Sequence, residues 1–246
     1  MALSAAAALA GCGAVEIAPE PIIPKAIVAP LPGKVGVVVS GEQKNFKHDE
    51  MRNGVGWEVQ LGAGHVRLAK NVFGALFAEC VFFDDLGAAK AATGLVAIFE
   101  PRMEQYSFAT AKETGGAYYA VTIRYRINAF AADGKLADSF TITGYGNSRD
   151  QAMSSSEPLA GASRAAMRDA AAKFLVQFPD QPLGVALAKG EKVIAGDSPG
   201  GSSNPTETPA MAAMEVVPIL EPATPKTASP APPTPPVGQP DGPKFN

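Results

Sequence analysis

The alternation of apolar and polar residues on either side of Asp133-Gly134 is the feature that most constrains the fold of this chain. An Asp-Gly pair favours a two-residue type I′ turn, in which both central residues adopt positive φ. Such a turn at 133–134 places Ile127 opposite Phe140 and Tyr125 opposite Ile142, so that apolar side chains face each other. A one-residue slip would move every side chain to the other face. The sequence therefore predicts an antiparallel hairpin with one buried and one exposed face.

Proline-rich segments at both ends restrict the core to the middle of the 246-residue chain. Residues 13–33 contain five prolines, and residues 190–246 consist mainly of Pro, Ala, Ser, Thr and Gly. Such compositions bury too little apolar surface to offset chain entropy. We expect one domain at residues 34–189, which is a typical domain size, followed by a disordered Pro/Ala-rich tail at residues 190–246.

Further strands are predicted before the hairpin. Residues 35–39 form a β-branched run without alternation, which is typical of a strand covered on both faces. Residues 41–54 are polar and predict a loop, whereas residues 55–61 alternate like a half-buried strand. Residues 81–83 and 95–99 are short apolar strands, and Pro101 is expected to bend or end the second one, with residues 102–109 continuing it at an edge.

Two helices complete the predicted domain. Apolar residues recur every three or four positions from Val66 to Cys80, and a second stripe runs from Leu159 through Ala162, Ala166 and Ala170 to Phe178. Within the second helix, Asp169 and Lys173 form a favourable i,i+4 pair. The fold class is therefore α+β: a single domain with a mostly antiparallel sheet and two amphipathic helices on one face.

Charge and residue types argue against several functions. The net charge of −3 equals that of residues 190–246, which hold three lysines and six acidic residues. The rest of the chain is therefore neutral, and the domain lacks a basic surface for nucleic acid. His65 has no metal ligand at helical spacing, and His48-Asp49-Glu50 is interpreted as a solvated loop cluster. Cys80 is interpreted as a buried small hydrophobe. We expect no enzyme activity, no metal and no cofactor.

The exposed face of the hairpin is the candidate binding surface. It carries Thr122, Arg124, Arg126, Asn128, Thr141 and Thr143. The two arginines could meet carboxylate or phosphate groups of a partner. The alternative interpretation is a solvated sheet face without a partner.

The residues Leu9-Ala10-Gly11-Cys12, between a small apolar run and a proline-rich segment, resemble the lipobox of bacterial lipoproteins. The resemblance implies acylation of Cys12, a signal-peptide remnant at residues 1–11 and a lipidated tether at residues 12–33. The uncharged leader is short for a secretory signal, which favours a true start codon upstream. Gly13, rather than Asp, implies the outer membrane. The alternative is an Ala-rich N-terminal helix that ends in Gly-Cys-Gly.

Together with this lipobox, the order of elements resembles the YajG-like outer-membrane lipoproteins and, more loosely, the lipopolysaccharide-assembly lipoprotein LptE and the N-terminal domains of TolB-type proteins. The resemblance implies a non-enzymatic, lipid-anchored protein on the periplasmic face of the outer membrane of a Gram-negative bacterium. Such a protein would assist the assembly or stability of an envelope complex through a protein partner. The alternative is a periplasmic lipoprotein that binds a small ligand such as a lipid, a glycan or a peptidoglycan fragment. The sequence specifies neither the partner nor the oligomeric state.

Overall fold

The structure, a computed structural model, describes residues 15–21, 28–116, 118–149 and 156–195. Cys12 and most of the proline-rich tail lie outside these ranges. The strands are β1 (Val15–Ile17), β2 (Leu31–Val38), β3 (Lys47–Arg52), β4 (Val55–Gln60), β5 (Phe77–Phe83), β6 (Leu95–Ala109), β7 (Tyr118–Phe130) and β8 (Leu136–Arg149). The helices are α1 (Gly41–Lys44), α2 (Gly62–Leu76), α3 (Leu86–Ala91), α4 (Ser156–Gln177) and α5 (Pro182–Ala188), with a 3-10 turn at Phe178–Asp180.

The main sheet has five strands in the order β5-β2-β6-β7-β8. Strands β5 and β6 flank β2 in parallel, whereas β6, β7 and β8 are antiparallel and form the longer pairings. The predicted α+β class is confirmed. The parallel pairs had not been predicted, because they join distant segments through crossovers that leave no local sequence pattern. Val35 and Val37 pack into the main core and Val38 into a second cluster, as predicted for a strand covered on both faces.

The predicted hairpin register is confirmed, but its turn is of another type. Ile127 pairs with Phe140 and Tyr125 with Ile142. Of the two turn residues only Gly134, with φ 82°, has positive φ. The Ala131 N–H donates to the Lys135 carbonyl at 2.9 Å, which leaves a three-residue loop instead of two. A bulge between the Ala129 and Phe130 pairs adds one residue to β8 and restores the register that a two-residue turn would have produced.

Helix α4 lies directly on β8, on the buried face of the main sheet. Its predicted stripe is buried at Leu159, Ala162, Ala166, Ala170 and Phe174. Close approach requires glycine on the strand: a Cβ at Gly144 would lie 2.1 Å from the Ala166 carbonyl oxygen, and one at Gly146 would lie 2.1 Å from that of Ala162. Helix α2 packs beside α4. It ends at Leu76, whereas the predicted helical stripe extended to Cys80. Phe77 and Cys80 are compatible with the period of a helix and also with that of a strand, and in the structure they belong to β5.

A small sheet, ordered β1-β4-β3, covers one end of the core. The prediction of a loop at residues 41–54 was wrong, because this segment contains α1 and β3. Strand β3 was missed because its inward residues are polar instead of apolar: His48, Glu50 and Arg52 are half-buried. Strands β3 and β4 are joined at Asn53 (φ 51°) and Gly54 (φ 78°), the two-residue turn with positive φ that had been expected at 133–134.

Pro101 does not end β6, which runs on to Ala109. The pairing with β2 stops at Phe99, so Pro101 meets no strand on that side that needs its missing N–H. Its carbonyl oxygen accepts a hydrogen bond from His65 Nε2 at 3.0 Å. Residues 102–109 continue β6, as predicted. They pair with β7 on one side, and β2 no longer pairs with the other side.

Candidate docking surfaces

The six residues of the predicted binding surface share one face of the main sheet. Arg126 pairs across the strands with Thr141, and Arg124 with Thr143, while Thr122 and Asn128 follow on β7. This face is opposite to Ile123 and Tyr125, which are buried in the core. The side chains of Arg124 and Arg126 are 49% and 44% exposed. The alternation of β7 and β8 thus indicated the correct grouping.

Glu104 on β6 pairs with both arginines of this surface and offsets one of their two positive charges. One of its carboxylate oxygens contacts Nε of Arg126, and the other lies 3.5 Å from Nε of Arg124. A bulge between Met103 and Gln105 places Glu104 next to both guanidinium groups. Glu104 could not be assigned to this surface from the sequence, because a bulge cannot be inferred from the alternation of a single strand. Because a guanidinium has five N–H donors, a partner carboxylate could bind either arginine beside Glu104 or in its place.

A half-buried ion network joins β3 to the segment that follows β6. Arg52 contacts Glu50 at 3.0 Å and Glu113 at 2.8 Å, and its guanidinium lies 4.8 Å from the centre of the Phe108 ring. His48 Nε2 lies 3.0 Å from Glu50. Burial alone would raise the pKa of Glu50, but the hydrogen bonds from His48 and Arg52 outweigh it and lower that pKa. The interpretation of His48-Asp49-Glu50 as a loop cluster was wrong, because these residues lie in β3. The His48 ring packs against Tyr106 and Phe108 of the main sheet, whereas Asp49 is exposed to solvent as predicted.

His65 and Tyr125 stack inside the core beside a small apolar cavity of about 40 Å³. Burial lowers the pKa of His65 to about 4, against a weaker opposing effect of its bond to the Pro101 carbonyl. The imidazole is therefore neutral at pH 7, with its proton on Nε2. Neither His65 Nδ1 nor the Tyr125 hydroxyl has a hydrogen-bond partner among the described residues. A cavity of this size has room for water but not for a larger ligand.

Cys80 is half-buried, instead of buried as predicted, and its thiol is unreactive. Its Sγ donates to the Phe73 carbonyl at 3.1 Å, and burial raises the pKa of the thiol to about 11, with a smaller contribution from Glu79. A thiol that stays protonated at neutral pH is a poor nucleophile. This agrees with the interpretation of Cys80 as a small hydrophobe.

Side chains cover the backbone at two exposed edges of the main sheet. On β6, beyond the end of β2, Gln43 accepts from the Met103 N–H at 2.7 Å and donates to the Met103 carbonyl at 3.5 Å. On β8, Asp169 accepts from the Tyr145 N–H at 2.8 Å, and Lys173 donates to the Thr143 carbonyl at 2.9 Å. The predicted Asp169–Lys173 pair is formed at 2.6 Å. Its helical spacing therefore also places both side chains against the edge of β8.

A groove of about 580 Å³ runs between α2 and the end of β5. Its apolar lining comes from Val39, Val66, Phe82 and Phe83. Its charged lining consists of Lys44, Arg67, Lys70 and Asp84. Lys44 contacts Asp84, and Arg67 lies 2.8 Å from Glu20, whereas Lys70 has no ion pair among the described residues. The groove could not be predicted from the sequence, because α1, α2 and β5 are brought together only by the crossover.

The described part of the chain has neither a metal-binding cluster nor a membrane-spanning helix. No group of three or more His, Cys, Asp or Glu side chains there is arranged to hold a metal ion. No helix there is both long and apolar enough to span a bilayer.

No protein-family model and no curated protein matches this sequence. Two solved structures are similar in part. A protein described as a lipoprotein from Caulobacter crescentus CB15 has a TM-score of 0.33 and 10% identity, over 51% of this chain and 83% of that one. A protein described as a homologue of neuraminyllactose-binding hemagglutinin from Helicobacter pylori has a TM-score of 0.44 and 8% identity, over 69% of this chain and 97% of that one. At these TM-scores neither likeness assigns a function, and the YajG-like assignment stays a prediction.

Proposed function

We propose that this chain is a lipid-anchored, non-enzymatic accessory protein of the bacterial envelope. It is held on the periplasmic face of the outer membrane and assists the assembly or stability of an envelope complex. The observation that carries the proposal is the sequence Leu9-Ala10-Gly11-Cys12, with small residues before the cysteine and a proline-rich segment after it. Several acyl chains on Cys12 would hold the protein firmly, since a single chain gives only reversible membrane binding.

The surfaces of the domain support a protein partner. The exposed face around Arg124 and Arg126 is broad and polar, and its ion pairs with Glu104 can be exchanged for those of a partner. The groove between α2 and β5 includes Phe82, Phe83 and Arg67, and aromatic residues and arginine are enriched at protein interfaces.

The groove also favours a second candidate function, that of a small-ligand carrier in the envelope. Its volume of about 580 Å³ lies in the range of ligand-binding clefts. Extraction of the native protein from membranes with detergent distinguishes the two functions. Partner proteins in stoichiometric amounts support the accessory role, whereas a single protein that carries an extractable lipid or glycan supports the carrier role.

The anchor is tested by Cys12→Ala in the natural host, with Cys80→Ala as the matched control. We expect Cys12→Ala to abolish metabolic labelling with an alkyne palmitate and to release the protein from washed membranes. Cys80→Ala should keep both the label and the membrane fraction, because its thiol is shielded in the domain. Retention of Cys12→Ala on membranes at wild-type levels in high salt would contradict the lipid anchor.

A further inference from the structure

The edge of β5 differs from the other edges of the main sheet. At the other edges some backbone groups are occupied by side chains: Asp169 and Lys173 bind Tyr145 and Thr143 on β8, and Gln43 binds Met103 on β6. In the described part of the chain, no strand pairs with the outer side of β5. An unpaired strand of seven residues presents a row of free N–H and C=O groups that can pair with another chain.

The register identifies which groups of β5 are free. The Phe83 carbonyl accepts from the Val39 N–H at 3.0 Å, so Phe83 directs its backbone groups towards β2. In a parallel pair the backbone groups alternate in direction along the strand. Residues 79, 81 and 83 therefore face β2, and residues 78, 80 and 82 direct their N–H and C=O groups outward. Charged residues and prolines commonly protect such edges, but β5 holds only Glu79, which is paired with Lys34 at 2.8 Å.

The groove continues this edge on the side of α2. Phe82 and Phe83 belong to both features, so a segment paired with β5 would place alternate side chains against Val66 and the aliphatic parts of Arg67 and Lys70. Three cations and one carboxylate line the groove. Because Lys44 and Arg67 are already paired, Lys70 is the cation that an incoming carboxylate would meet.

We propose that the outer edge of β5 binds an extended, acidic segment of a partner protein, which adds a sixth strand to the main sheet. This inference rests on the proposed accessory function, because it names the kind of partner segment that is held. Main-chain hydrogen bonds to residues 78, 80 and 82 provide affinity, and the groove beside α2 selects apolar and acidic side chains.

A second copy of this chain fits the edge less well. Two-fold pairing of β5 with β5 would bring both α2 helices to the same face, where Arg67 and Lys70 of each would approach those of the other. Like charges placed across an interface oppose association. An acidic segment has the opposite effect, since it matches the charge surplus of the groove.

The test uses the full chain with Cys12→Ala, which stays in solution without acyl groups. The probe is a blocked ten-residue peptide in which the residues that share one face of the strand are valine and glutamate in turn, with threonine at every other position. Its binding is followed by amide hydrogen exchange. We expect slower exchange at residues 78, 80 and 82, with no change at residues 122–128. Lys70→Glu should weaken binding about threefold to tenfold, because a favourable exposed ion pair becomes a repulsive one. Lys112→Glu, which alters an exposed lysine in the turn after β6, should leave binding unchanged.

Two control peptides test the two parts of the proposal without altering the protein. N-methylation of all the backbone nitrogens of the peptide removes every strand donor and should abolish protection of β5. Replacement of glutamate by lysine should weaken binding by at least the factor seen for Lys70→Glu. Equal binding of the lysine peptide, no protection of β5, or protection that rises with protein concentration alone would overturn the proposal. All these results are independent of the proposed lipid anchor. That proposal is contradicted by a different result, the retention of Cys12→Ala on membranes.

Discussion

The imidazole of His65 is nearly fully buried, and its burial couples the stability of the domain to pH. The pKa of His65 is lowered from 6.5 to about 4 in the folded chain. Below pH 6.5 the unfolded chain therefore binds one more proton than the folded chain, and acidification favours unfolding. This contribution to stability is complete above pH 6.5 and is lost as the pH falls towards 4.

We predict that the free energy of unfolding falls by about 2 kcal/mol between pH 7 and pH 5 because of this one side chain. Urea unfolding at several pH values measures the effect. His65→Gln can keep a donor for the Pro101 carbonyl but does not titrate, so its stability should be nearly flat over the same interval. A wild-type slope that persists in His65→Gln would assign the pH dependence to other groups.

Gly134 is required by the turn between β7 and β8. Its φ of 82° is strained for a residue with a Cβ, and a Cβ there would also meet the side chain of Lys90 at 2.3 Å. We predict that Gly134→Val destabilises the domain by about 1–3 kcal/mol. Gly41→Val is the control, since a Cβ at Gly41 has nothing within 4 Å and its φ is ordinary. Equal melting temperatures of the two variants would show that the turn tolerates a side chain.

At the scale of elements, the contact between α4 and β8 depends on missing side chains. We predict that Gly144→Ala destabilises the domain by about 1–3 kcal/mol, because the new methyl group would overlap the backbone of α4 at Ala166. Gly74→Ala is the matched substitution on the exposed side of α2, where a Cβ has nothing within 4 Å. It should stabilise the helix by about 0.5–1 kcal/mol. Chemical denaturation of both variants tests whether the sign differs as expected.

The elements also show what a single sequence can predict and where it fails. The register of β7 and β8 followed from alternation, and it survived a wrong turn type because a bulge compensated for the longer loop. The face that carries Arg124 and Arg126 followed from the same alternation. Strand β3 was missed because its inward positions are held by ion pairs, which have no hydrophobic period. The groove was missed because Lys44, Lys70 and Phe82 come together only through long-range pairing.

At the scale of the whole molecule, the described chain continues past Lys189. The Val193 side chain is buried in the core, and its N–H donates to the Val96 carbonyl at 3.0 Å. We predict that a chain ending at Lys189 is less stable than one ending at Ala195 by about 1–3 kcal/mol, because it loses this hydrogen bond and the burial of one valine. Thermal unfolding of the two truncated chains makes the comparison. Identical melting temperatures would place the boundary at Lys189.

The cover over β8 also determines how many molecules can join through the main sheet. A sheet that accepts strands at both edges can propagate from one molecule to the next, as in cross-β fibres. Here Asp169 and Lys173 occupy the groups at Thr143 and Tyr145 that a new strand would need. A strand that pairs along this stretch of β8 would have to break both contacts, whereas no contact of this kind is seen at the outer groups of β5 among the described residues. If pairing is confined to β5, the domain is monovalent, and copies held close together are not linked into a polymer.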